Sequence, residues 1–373
     1  MVGLPKAENW AAVENIDAVP SPALLIFQER VEQNIRKMVS VAGSPERLRP
    51  HVKTHKMSAI IKLKQQHGIS RFKCATLAEA EMVAKCGGKD ILLAMQPVGP
   101  HIGLFFKLQQ HYLHSRFSAL ADSPDVASSF SKMAVSMNQT ATLWLDINNG
   151  MNRTGILPEF ALQLYSDIRK MPCIQVSGLH VYDGHIHNSD FEERKVAVDK
   201  DYIPVIQLVD KIIKAGMPAP AIVAGGTPTF PFHAMRKGVE TSPGTTVLWD
   251  AGYKAQFPDM DFLEAAILLM RVVSKPDRNL LCLDLGHKAI AAEMQPPRLR
   301  IIGLEGFRFI SQSEEHLVIE TPQAGKFKTG DSFIGIPWHI CPTVPRYSSA
   351  FVVKDGKIAG EWKVDARDRN LQL

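Results

Sequence analysis

From residue 28 to residue 254 the sequence alternates between short β-rich runs and longer stretches with helical periodicity, and this alternation most restricts the folds open to the chain. The β-rich runs end near Lys53, Ala75, Ala94, Leu120, Ile147, Val181, Ala224 and Trp249. Strands separated by helices predict a parallel sheet, because each crossover helix returns the chain to the same end of the sheet. Eight such units in about 225 residues predict an α/β chain built on a (β/α)8 TIM-like barrel, with a doubly wound sheet as the competing architecture. Helix punctuation agrees: Thr76 is placed to cap a helix over 77–86 that Gly87 stops, and Ser123 precedes a helix with Pro124 in its first turn.

After residue 255 the pattern changes to short apolar runs at 280–285, 299–302, 317–320, 332–336 and 350–353, broken by Gly, Pro and charged turns. That pattern predicts a C-terminal all-β domain. The run Ala23, Leu24, Leu25, Ile26, Phe27 precedes the first barrel unit and is expected to join it. The organisation expected is therefore a 1–27 segment belonging to the β-domain, a barrel over 28–254 and a β-domain over 255–373. No internal period and no low-complexity segment interrupts it.

Composition narrows the function classes. With 45% hydrophobic and 22% charged residues among 373, the chain is an ordinary globular protein and not a disordered tail. The net charge of +5 comes from basic residues scattered along the chain, which argues against a nucleic-acid partner. No apolar run approaches the ~20 residues of a spanning helix, so no membrane partner is expected. The N-terminus shows no basic region followed by an apolar one, and the five cysteines are widely spaced without a Cys-x-x-Cys pair, which points to a reducing cytoplasm.

In a barrel, reactive groups gather where strands end at the C-terminal face. The first end, Arg49, Pro50, His51, Val52, Lys53, Thr54, His55, Lys56, puts two lysines and two histidines within eight residues. A lysine desolvated there has a lowered pKa and becomes competent for a Schiff base with a carbonyl cofactor. The seventh end carries Gly225, Gly226 and Thr227, and the eighth Gly244 and Thr245, in the loops that favour phosphate in barrels. Together with the lysine they suggest a phosphorylated aldehyde, pyridoxal 5′-phosphate. Arg153, after the fifth unit, suits a carboxylate or phosphate, and Tyr182, after the sixth, suits a flat ring; His180, His185 and His187 are read as cofactor contacts in preference to a metal site. Further on, His339 and Cys341 stand two apart, on one face if the segment is a strand. A thiolate with an imidazole favours Zn²⁺ over harder ions and leaves positions open for water or substrate.

The motifs at 49–56, 146–155, 224–229 and 339–343 occur in the order seen in the D-threonine aldolase and D-serine dehydratase family, which the chain resembles over nearly its whole length. The resemblance implies an alanine racemase-like fold, pyridoxal phosphate, a divalent metal (zinc, with manganese or magnesium as alternatives) and a homodimer whose sites are shared between subunits. It implies Lys53 as the Schiff-base lysine, with His51 and Tyr182 as further catalytic residues and Lys56 opening the next helix. Arg153, Tyr182, Gly225, Gly226, Thr227, Gly244 and Thr245 would hold the cofactor, and His339 and Cys341 the metal. Cysteine at 341 follows the dehydratases, where the aldolases often carry aspartate. The activity implied is a lyase on D-3-hydroxy amino acids, with aldol cleavage to glycine and an aldehyde placed before dehydration, racemisation, and a non-catalytic carrier of the cofactor.

Overall fold

The computed structural model describes residues 6–372. The chain divides into two compact units, one taking residues up to Ile35, Thr54–Ile60 and Thr245–Arg367, the other Arg36–Lys53, Ile61–Gly244 and the chain from Asp368. The first strand, β1 (Ala23–Phe27), lies in the former. The next seven build the latter: β2 (Arg71–Cys74), β3 (Asp90–Leu93), β4 (Arg116–Ala121), β5 (Ala141–Ile147), β6 (Ile174–Val181), β7 (Ala221–Ala224) and β8 (Val239–Thr241), paired in that order and parallel throughout.

Residues 48–52 occupy the remaining barrel position. On one side Arg49 N–H donates to Thr241 O at 2.9 Å, and on the other Val52 N–H donates to Lys73 O at 2.9 Å and Lys73 N–H to Pro50 O at 3.1 Å. The segment makes isolated bridges instead of a full strand, because Pro50 has no N–H to give to a ladder. The eighth unit also ends earlier than the expected Trp249: Pro243 and Gly244 stop β8, and Thr245–Val247 forms a 3-10 turn. Thr76 caps the Leu77–Lys85 helix as expected, its hydroxyl accepting from Glu79 N–H at 3.1 Å while Glu79 accepts from Ala75 N–H at 2.6 Å. Lys56 does not open the following helix; it has φ 54 and the helix starts at Ser58.

The barrel interior is layered. Arg49 bridges Asp90 (2.6 Å) and Glu240 (2.8 Å) near the strand starts, and its guanidinium lies 5.5 Å from the Trp144 ring centre. Trp144 packs with Leu92, Leu120 and Val223 as an apolar layer. Further along the strands the interior turns polar, with Lys73, Asp146 and His180 all buried.

Among the described residues the other unit holds nine strands: β1 with β9 (Ala266–Ser274), β10 (Leu280–Leu283), β11 (Leu299–Ile301), β12 (Arg308–Gln312), β13 (Leu317–Glu320), β14 (Ser332–Pro337), β15 (Ser349–Lys354) and β16 (Lys357–Lys363). Pairing is antiparallel except between β1 and β15. Leu25, Phe27, Ile267, Leu269, Ile334 and Val353 share one core cluster. Among the described residues no helix is long and apolar enough to cross a membrane.

Candidate active site

Tyr182, the residue after β6, is the geometric centre of the barrel unit's chemistry. Three cations face its ring: the Arg153 guanidinium at 5.0 Å, Lys73 Nζ at 5.3 Å and Lys53 Nζ at 5.8 Å from the centroid. The ring fits where it does because its neighbours lack side chains. A Cβ on Gly184 would come within 2.4 Å of the ring and one on Gly226 within 3.0 Å. His51 keeps the Lys53 backbone in place, its Nδ1 accepting from Lys53 N–H at 3.3 Å.

Behind Tyr182 lies a polar group that the motif-based expectation does not contain. Lys73 on β2 is 3% exposed, and the period-2 alternation that turns it into the barrel turns Phe72 and Cys74 away from it. Burial, reinforced by the charges of Lys53 and Arg153 and only partly offset by Asp146 and Asp183, pushes its pKa down to about 7. On the neighbouring strands, His180 Nδ1 donates to Asp146 Oδ1 at 2.6 Å, while His180 Nε2 is buried without a hydrogen-bond partner among the described atoms. Burial and the Lys73 charge lower the His180 pKa against the pull of Asp146. Burial also works against charge on Asp146, but His180 and the Thr154 hydroxyl outweigh it and hold its carboxyl below the usual range. The dyad is therefore a neutral imidazole with a bare acceptor nitrogen, oriented by a carboxylate. His185 is held elsewhere, at 2.8 Å from Asp201.

The glycine loops are ordered by threonines. Gly226 N–H donates to Thr229 Oγ1 (3.1 Å), which donates to Asp183 (2.7 Å), and Gly244 N–H donates to Thr227 Oγ1 (3.0 Å). Gly225 has φ 81, a left-handed backbone that glycine adopts freely. Beside them Ser242 Oγ is buried without a partner among the described atoms. Two orphaned polar atoms, three cations around one ring and loops with room only for glycine fit a flat anionic group such as pyridoxal phosphate.

In the other unit, Cys341 Sγ is within 3.1 Å of Thr54 Oγ1 and 3.4 Å of Thr245 Oγ1, so the structure places Thr245's hydroxyl on the cysteine. His339 Nδ1 is 2.6 Å from Glu293 Oε1. Burial opposes charge on both groups. The mutual hydrogen bond and attraction prevail, raising His339 to about 9 and lowering the Cys341 thiol. A thiolate and an imidazole fit a soft divalent ion as two of its donors. No group of three or more His, Cys, Asp or Glu side chains suited to a metal occurs among the described residues.

Residues 26–250 match the family described as alanine racemase, N-terminal domain, and residues 265–353 the putative serine dehydratase domain. D-threonine aldolase of Arthrobacter sp. is 26% identical over 94% of this chain and 93% of its own. 3-Hydroxy-D-aspartate aldolase of Paracoccus denitrificans (strain Pd 1222) is also 26% identical, over 94% and 93%. The crystal structure of D-threonine aldolase from Filomicrobium marinum superimposes with a TM-score of 0.87 at 25% identity, covering 94% of this chain and 97% of that one. The chain thus belongs to the alanine racemase N-terminal domain family, in its branch of D-threonine aldolases and D-serine dehydratases, pyridoxal-phosphate lyases with a second, mostly antiparallel β domain.

Proposed function

We propose that this lyase cleaves D-3-hydroxy amino acids of the D-threonine type to glycine and an aldehyde. The observation that carries the reading is the convergence of Lys53, Arg153 and Lys73 on the Tyr182 ring, together with a neutral His180 with a bare nitrogen on which the Lys73 and Arg153 charges also act. Lys53 would hold pyridoxal phosphate covalently, with Tyr182 against its ring, Arg153 near its polar edge and Gly225, Gly226, Thr227 and Gly244 toward the phosphate, Thr245 contributing through its backbone because its hydroxyl lies on Cys341. When bound, the cofactor supplies an electron sink for charge developing at the substrate α-carbon. A divalent ion at His339 and Cys341, zinc before manganese or magnesium, supplies a Lewis acid for the β-hydroxyl.

The chain's own groups then decide the outcome. A base that takes the β-hydroxyl proton releases the aldehyde by breaking Cα–Cβ; His51 and the neutral His180 are the imidazoles available for it. Lys53, once its amine is free, takes the α-proton instead and drives loss of the β-hydroxyl, giving a keto acid and ammonia. The match to the putative serine dehydratase domain favours that second reading. We further take the protein to act as a homodimer with shared sites, in the cytoplasm, where its five cysteines stay free as they are in the structure. Product analysis separates the readings: glycine with acetaldehyde from D-threonine supports cleavage, whereas pyruvate with ammonia from D-serine and no cleavage of D-threonine would replace it with dehydration.

A further inference from the structure

Lys73 is hard to account for as a structural residue. Its side chain is 3% exposed, no carboxylate is within ion-pairing distance among the described residues, and its ammonium lies 5.3 Å from the centre of the Tyr182 ring. A buried, unpaired ammonium destabilises a fold, and an apolar side chain of similar length on β2 would pack the same space without that cost. The two carboxylates whose charge reaches it are both engaged elsewhere, Asp146 by His180 at 2.6 Å and by Thr154, and Asp183 by His233 and Thr229 at 2.7 Å each. A positive group kept without an internal partner, beside a ring and two further cations, is the arrangement that receives an anion from outside the protein.

We propose that Lys73 is the anion receiver of this site, its ammonium taking an anionic oxygen of the bound small molecule. The inference rests on the site reading given under the proposed function. The oxygen belongs to the cofactor, as phenolate or phosphate, or to the substrate, as a carboxylate. Pairing with either raises the affinity of Lys73 for its proton, so that an amine depressed by burial becomes a full charge when the site fills. Asp146 and His180 serve as its wall: the dyad satisfies its own carboxylate and leaves the ammonium for the ligand.

The test replaces the charge while keeping the length, as Lys73→Met, with Lys73→Arg as the charge-retaining control. Apoprotein is titrated with pyridoxal phosphate by absorbance, and the loaded enzyme is assayed on a D-3-hydroxy amino acid with a β-methyl and on one with a β-carboxylate. A loss of about tenfold or more in cofactor affinity in Lys73→Met, partly restored in Lys73→Arg, assigns the oxygen to the cofactor. Unchanged cofactor affinity with KM raised about tenfold or more for the β-carboxylate substrate alone, kcat held, assigns it to the substrate. Apoprotein Tm is read with and without inorganic phosphate and succinate, and the anion-induced rise seen in wild type should vanish in Lys73→Met. Unchanged affinities and KM values overturn the proposal. So does a lowered apoprotein Tm or failure to fold in Lys73→Met, because that is the mark of a broken internal ion pair. Failure of wild-type protein to take up pyridoxal phosphate would instead overturn the proposed function, and the phosphate and succinate shifts still decide the role of Lys73.

Discussion

Asp146 accepts the Nδ1 proton of His180 at 2.6 Å, and that single bond fixes which nitrogen of the imidazole faces the barrel interior. The tautomer follows from the carboxylate being ionised, since only an Nδ1–H can donate to it. Asp146→Asn removes this bias, because an amide can also donate to Nδ1 and turn the proton to Nε2. Nitrogen NMR should show His180 losing its Nδ1–H preference, and kcat should fall about tenfold or more with KM little changed. An unaltered tautomer and unaltered kcat would reduce the dyad to a packing contact.

Lys73 makes apoprotein stability depend on pH. Its folded pKa of about 7 lies below the ordinary lysine value of 10.5, so between those limits the unfolded chain binds a proton that the folded chain does not. Stability therefore rises with pH across that window and is lower by a constant amount below it. Lys73→Met lacks this dependence. Its apoprotein should be more stable than wild type at pH 7, by an amount on the order of several kcal/mol, and the gap should narrow steadily toward pH 10. Denaturant melts at several pH values read it directly, and a gap independent of pH would show that burial does not depress Lys73.

Lys53 should be the residue that borohydride fixes to the cofactor, giving a labelled peptide that contains it. Lys73 offers a stringent internal control, because its amine lies at nearly the same distance from the Tyr182 ring. Label on a peptide containing Lys73 alone would exchange the roles of the two lysines.

Much of this arrangement is legible in the sequence because it is punctuated by local chemistry. Thr76 with Glu79, Ser123 with Pro124 and the β-rich runs of β3 to β7 give period and caps within a few residues of one another. The less legible elements lack such signals. β9 is apolar on both faces and so shows no alternation, while β12 and β16 are polar strands at the ends of their sheet. Site residues divide the same way. Lys53, Arg153 and Tyr182 sit in motifs at strand ends, whereas Lys73 is a single lysine inside a four-residue strand, and its meaning depends on Asp146, His180 and Tyr182 arriving from elements far along the chain.

The metal pair yields the prediction on which the proposed chemistry depends most. Without an ion, His339 is held to about 9 and its hydrogen bond with Cys341 lowers the thiol, so a soft cation must displace the imidazole proton to bind. Metal uptake should release protons at pH 7 and weaken as pH falls. Hydroxide leaves poorly and a free β-hydroxyl is hard to deprotonate, so either lyase outcome gains several kcal/mol from a Lewis acid at that oxygen. Exhaustive chelation should abolish turnover while the visible absorbance of cofactor bound at Lys53 persists, since no residue proposed to ligate the metal is proposed to fix the cofactor covalently. Cys341→Asp should shift preference from zinc toward manganese or magnesium, because a carboxylate is the harder donor, and should move products toward cleavage. Full activity in protein shown by elemental analysis to be metal-free would leave His339 and Cys341 as a hydrogen-bonded structural pair, with Thr54 and Thr245 as its hydrogen-bonding shell.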